Sequence, residues 1–251
     1  MILRRLTENL RVQNWTAISI ELLIVVLGVF IGVQAANWNQ QRLERRETEQ
    51  LLEQVDVELT SLIRYIDSLD DYYASAGRYA DRAIAGWRGD TSVSDEEFVI
   101  AAYQASQING VANNADVWGA IFGAENLRDI EDPVIRQNLA GVMTYDYALV
   151  DIRAVATRYR EEVRKTIPHD IQSAIRARCS DRFAGGQVAL PSRCDIKIPP
   201  GEVARAAAAL RARPELVAEL HWHRAAVANQ LTQAEILKQR SRQLTTRIGQ
   251  S

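Results

Sequence analysis

The chain has 251 residues, 47% hydrophobic and 25% charged, with a formal net charge of −2, so one or two domains can bury a core without metals or many crosslinks. So even a charge balance offers no bulk attraction to a polyanion, which argues against a nucleic-acid partner. Gly (13) and Pro (6) are sparse and clustered, which excludes a turn-rich sheet protein and favours long helices. The predicted fold class is all-α: a single N-terminal transmembrane helix continuing into a periplasmic multi-helix bundle.

Leu3, Leu6, Leu10 and Trp15 recur at helical spacing with Arg4, Arg5, Glu8 and Arg11 between them. This pattern predicts a cytoplasmic amphipathic tail over residues 1–16, lying along the inner leaflet and too short to be an output domain. From Ala17 to Ala36 the sequence AISIELLIVVLGVFIGVQAA carries one formal charge, Glu21. At about 1.5 Å per residue it spans roughly 30 Å, the thickness of the hydrocarbon core, so residues 17–36 are predicted to form a transmembrane helix. Trp15 and Trp38 bracket it as interface anchors.

The run Leu22 to Val33, with Val33-Gln34-Ala35 behind it, also fits a cleaved signal peptide. The long charged segment before it, and a helical pattern that continues past Trp38, favour a retained anchor. Gly28, Gly32 and Ala36 make a small-x-x-x-small strip, a packing face on which two copies of the helix would pair as a homodimer, although such strips also arise by chance in spans. Glu21 is an ionisable group near the predicted edge, within reach of the cytoplasmic headgroups.

Arg4, Arg5 and Arg11 before the span nearly balance Arg42, Arg45 and Arg46 after it, so charge does not orient it. Orientation rests on Cys179 and Cys194, which flank a Gly/Pro-containing loop and are expected to pair as a disulfide in an oxidising compartment. That places residues 37–251 in the periplasm as a helical domain of a bacterial inner-membrane protein. The two cysteines lack the C-x-x-C spacing of a redox pair.

The run LIVVLGVFIGVQAANWNQ, with Gln34, Asn37, Trp38 and Asn39 at its end, resembles the opening of a bacterial family of single-pass membrane proteins that has no assigned activity. Gln40 stands where an acidic residue is common in that family. A looser echo, WGAIFGAENLRDIEDPVIRQNL from Trp118 to Leu139, is similar to the family's Leu-x-x-x-Gly-x-Leu-x-x-Ile pattern. The resemblance covers about a sixth of the chain, and implies topology and fold without implying chemistry.

Beyond the span, Leu52, Val55, Leu59, Leu62, Ile66, Leu69, Tyr73, Ala76, Ala80, Ala83 and Trp87 keep a strict heptad register, predicting one long amphipathic helix. Leu51 and Ile63 widen the stripe, as a multi-helix bundle requires. Ser94 with Glu97 is a capping box opening a helix from Asp95 to about Ile108, and a short helix is expected over Asp116 to Ala124. Asp132-Pro133 opens a long helix to about Thr166 with Ile135, Val142, Tyr145, Leu149, Ile152, Ala156, Tyr159 and Val163 inward. Further helices are predicted from His169 to Cys179, after Pro199-Pro200-Gly201 to about Arg213, and from Pro214 to near Ile248, with Ser180–Arg193 the least helical stretch.

No catalytic motif, cofactor-binding loop or metal-ligand spacing is present, and the predicted site residues include none of those kinds. His221 and His223 point about 200° apart on a helix and cannot share a metal. Tyr65, Tyr72, Tyr73 and Tyr79, with Tyr145, Tyr147 and Tyr159, either line a ligand pocket between helices or fill the bundle core. Lys238, Arg240, Arg242 and Arg247 are expected either to complement the last helix's dipole or to meet anionic lipid. The function these features predict is a structural or protein-interaction role. Its partners are the lipid bilayer, a second copy through the membrane helix, and an unidentified membrane or periplasmic protein; the alternative is a periplasmic small-molecule-binding sensory module acting through a partner.

Overall fold

A computed structural model describes residues 15–111 and 130–250. The amphipathic tail, apart from its last two residues, and the short helix over Asp116 to Ala124 lie outside the described residues, as does most of the Trp118 to Leu139 echo. The chain divides into two compact units, Met1–Leu52 and Glu53–Ser251. The protein is all-α, with one two-stranded hairpin as its only sheet among the described residues.

Helix α1 covers Trp15–Trp87, and the described part of the first unit lies wholly within it. The apolar side chains of this stretch are exposed, from Ile20 through Val33. It is long and apolar enough to cross a membrane, and none of it is buried.

In the second unit the heptad stripe is the buried face of α1. Val55, Leu59, Ile66, Leu69, Tyr73, Ala76, Ala80 and Ala83 are all buried, and Ser68, Tyr72, Ser75 and Ile84 broaden the contact. One partner is α7, Leu216–Ile248. Asp81 meets Arg224 at 2.7 Å, Tyr73 meets Gln230 at 3.1 Å and Asp67 meets Lys238 at 3.0 Å. Numbers fall on α1 as they rise on α7, so the two helices run antiparallel.

Helix α2 (Asp95–Gln104) starts as its capping box predicts, with Ser94 Oγ accepting from the Glu97 N–H. It stops at Gln104, before Ile108. The following backbone is held by side chains instead: Ser106 Oγ donates to the Tyr103 carbonyl at 2.7 Å, and the Asn109 N–H donates to the Tyr73 hydroxyl at 2.8 Å. Turn bonds from the Ser106 and Gln107 N–H groups to the Tyr103 and Gln104 carbonyls, with the long-range bond to Tyr73, stand where the next helical turn would be.

The single helix expected from Pro133 to Thr166 is broken into pieces. Helix α3 (Pro133–Met143) is capped by Asp132 as predicted, two 3-10 turns follow at Tyr147–Leu149 and Ile152–Val155, and α4 resumes at Arg158–Thr166. Asp146 and Asp151 cause the break. Their carboxylates accept the Ala148 and Arg153 N–H groups two residues on, offering the backbone an alternative to the helical ladder. The register shifts accordingly. Tyr147, Val150 and Val155 are buried, whereas Leu149, Ile152 and Ala156, predicted inward, are exposed.

Pro168 precedes α5 (His169–Cys179). Strands β1 (Arg182–Ala184) and β2 (Gln187–Ala189) then form an antiparallel hairpin with Phe183 opposite Val188. Gly185 (φ +59°) and Gly186 (φ +74°) occupy the two left-handed positions that such a two-residue turn needs. Helix α6 (Pro200–Arg211) packs on α2. The main core gathers Phe98, Tyr159, Val163, Ile171, Ile175 and Leu210 around α2, α4, α5 and α6. Phe98 lies edge-on to Trp87, ring centroids 5.0 Å apart, directly over Gly86, where any Cβ would collide with its ring.

Candidate functional site

Trp15 and Trp38 are both exposed, and the Arg42 guanidinium lies over the Trp38 ring at 5.3 Å. Gly28 and Gly32 have open space where a Cβ would stand, and Ala36 is exposed. The strip is therefore uncovered among the described residues. Within the apolar stretch one oxygen of Glu21 is buried with no hydrogen-bond partner.

Cys179 and Cys194 are joined in a disulfide, Cα atoms 5.6 Å apart. Cys179 is buried in the main core at the end of α5, and the bond ties that helix to the chain beyond the hairpin. In the chain-entropy picture a loop of this size contributes about 3 kcal/mol.

The tyrosines are committed to internal hydrogen bonds. Tyr72 donates to Asp181 at 3.1 Å, Tyr79 to the Pro191 carbonyl at 2.8 Å, Tyr145 to the Gln233 carbonyl at 2.9 Å and Tyr159 to the Ala102 carbonyl at 2.9 Å. Tyr65 and Tyr73 converge on Asn109 and Gly110. Burial pushes the Tyr72, Tyr73 and Tyr159 hydroxyls far above their ordinary pKa. These rings build the core and its polar seams.

Sequence reasoning missed the hub of one such seam, Gln230, which is 1% exposed. Its amide nitrogen donates to the carbonyls of Asn109 (3.0 Å), Val150 (3.0 Å) and Asp151 (3.2 Å), and its oxygen faces the Tyr73 hydroxyl. It thereby adds a second donor to carbonyls that also accept from the Tyr73 hydroxyl, the Val111 N–H and the Ala154 N–H, and ties the loop after α2 to the segment after α3. No pattern marks it, because glutamine on a helix ordinarily reads as surface.

His221 is exposed and His223 buried, as their 200° separation requires. His223 Nδ1 lies 2.7 Å from Thr157 Oγ1, with the Tyr159 ring beside it. Burial, aided by the Arg160 charge, lowers its pKa to about 4. The four cations near the end of α7 meet partners within the bundle. Lys238 is buried between Asp67 and Glu235, Arg242 reaches Asp67, Arg247 pairs with Asp132 at 2.8 Å, and Arg240 covers the Tyr145 ring.

Several surface depressions remain among the described residues. One of about 390 Å³ between α1 and α7 has a floor of Ala74, Ala76, Gly77 and Ala80 with Tyr73 and His223 at its side. A second, about 590 Å³, lies by the disulfide, where Arg82 is already locked to Glu97 by two hydrogen bonds. A third, about 690 Å³, runs along α4 and is bordered by Arg158, Arg160, Glu161, Arg164 and Lys165. Among the described residues no group of three His, Cys, Asp or Glu side chains converges as a metal site.

No protein-family model matches this chain, and no curated protein or solved structure matches it either.

Proposed function

We propose that this is a membrane-anchored protein of the bacterial inner membrane, its helical bundle standing in the periplasm and serving a structural or protein-interaction role. One observation carries the reading. Leu22, Leu23, Ile24, Val25, Val26 and Leu27 are consecutive and all exposed, as are Val29, Phe30, Ile31 and Val33, so the helix is apolar on every face, a surface suited to lipid and not to water. The disulfide supports the oxidising side of the membrane for the bundle. The resemblance carried by Gln34, Asn37, Trp38 and Asn39 points to the same single-pass topology. The open Gly28, Gly32, Ala36 strip supports self-association through the span.

The test is photo-crosslinking in living cells from positions on the anchor and the bundle, followed by the mass of the full-length protein in mild detergent. A discrete crosslinked dimer or a single reproducible protein partner is expected. A protein that stays monomeric and crosslinks only to lipid contradicts the interaction role.

A further inference from the structure

Arg160 and Arg164 stand one turn apart on α4, a spacing at which two like charges repel. Among the described residues neither has a carboxylate within ion-pairing distance. Elsewhere in the bundle, Arg82, Arg211, Arg213, Arg224 and Arg247 each meet one at 2.6 to 2.9 Å. Arg160 and Arg164 are held instead by neutral acceptors. Arg160 Nη1 donates to the Ser106 carbonyl at 2.6 Å; Arg164 donates to the Tyr103 hydroxyl and to Gln107 Oε1, both at 2.9 Å, with its guanidinium 4.4 Å above the Tyr103 ring.

These contacts fix both guanidiniums and leave most of their donors unused, since each carries five N–H groups. Arg164 Nε is buried with no acceptor at all. The carboxylate whose field they feel, Asp181, is engaged by Tyr72 and has its pKa raised by burial, which makes it a poor counter-ion. Both arginines border the 690 Å³ depression, whose lining also includes Arg158, Lys165 and the carboxylate of Glu161. Lys165 is neutralised by Glu161 and Glu162, and Arg158 faces Glu219 only at 3.7 Å.

We propose that this depression is a binding site for a phosphate group, with Arg160 and Arg164 as its paired guanidinium forks and Arg158 at the rim. A doubly charged oxyanion would cancel the repulsion between the two arginines and take up their free donors in the planar geometry guanidinium favours. The phosphate comes from a soluble phosphomonoester or from a phospholipid headgroup.

Isothermal titration and melting of the full-length protein in an uncharged detergent separate these sources. One arm uses inorganic phosphate against chloride at matched ionic strength; the other uses water-soluble dihexanoyl phosphatidic acid. Saturable binding of either probe, with a raised melting temperature, is expected, and binding of phosphatidic acid alone assigns the site to headgroups. Arg160→Gln and Arg164→Lys should weaken binding about tenfold or more, the loss expected for a charge-assisted hydrogen bond. Should either fail to fold, Arg158→Gln, whose side chain is 70% exposed, should still weaken it severalfold. No binding of either probe beyond chloride, or unchanged affinity in every folded variant, overturns the proposal.

Discussion

At the scale of single residues, the bundle's stability depends on polar side chains buried with defined partners. His223 is 2% exposed, bonded to Thr157 and held neutral with a pKa of about 4 against an ordinary 6.5. Between those values the unfolded chain binds the proton and the folded protein does not. The stabilising contribution is therefore full above pH 6.5 and is lost as pH falls toward 4, amounting to about 3 kcal/mol at most. Urea unfolding at pH 7 and pH 4.5 should show this loss in the wild type and much less of it in His223→Gln; equal losses in both would contradict the assignment. Gln230 makes a second case. Gln230→Leu roughly keeps the volume but removes one of two donors from each of the carbonyls of Asn109, Val150 and Asp151, which keep the Tyr73 hydroxyl, the Val111 N–H and the Ala154 N–H respectively, and should cost about 1–2 kcal/mol in the same assay. Two glycines on α1 should respond in opposite directions. Gly86 lies under the Phe98 ring while Gly77 faces open space, so Gly86→Ala should destabilise by about 1–3 kcal/mol and Gly77→Ala should stabilise by about 0.5–1 kcal/mol, both read as shifts of the urea midpoint.

At the scale of elements, the disulfide is the clearest lever. Replacing both Cys179 and Cys194 by Ala removes the tie between the end of α5 and the segment after the hairpin, and should lower stability by about 3 kcal/mol with helix content retained. An unchanged melting curve would show that the loop is held by its packing alone. Which elements were legible in the sequence follows from how local their determinants are. The α1 stripe from Val55 to Ala83 was readable because each buried position recurs at the helix's own period. The caps Ser94 and Asp132 were readable because they act within three residues. The break after Met143 was harder: Tyr145, Leu149, Ile152 and Ala156 continue a helical period, and only the competing Asx turns at Asp146 and Asp151 override it. The hairpin did carry a signal, Gly185-Gly186 between Arg-Phe-Ala and Gln-Val-Ala, and the short strands were hidden by their polar residues. The arginine depression on α4 had almost none, because what sets Arg160 and Arg164 apart is that no carboxylate among the described residues pairs with them, a fact of three-dimensional packing.

At the scale of the whole molecule, the two units differ in what covers their apolar surface. In Glu53–Ser251 most of the large apolar residues described are buried against one another, and the long-range ion pairs Asp67 with Lys238, Asp81 with Arg224 and Asp132 with Arg247 close the bundle from outside. In Met1–Leu52 the large apolar residues from Ile20 to Val33 are exposed, with no cover among the described residues. On the proposed reading two chemically different solvents account for this division, hydrocarbon for the first surface and water for the second. The account stands or falls on where the bundle resides. A dual topology reporter fused after Ser251 in a bacterial host, with one half active only in the periplasm and the other only in the cytosol, measures this directly. Periplasmic activity in a fraction that resists carbonate extraction is the predicted result. Cytosolic activity, or release of a product that begins near residue 36 into the soluble periplasm, would contradict it.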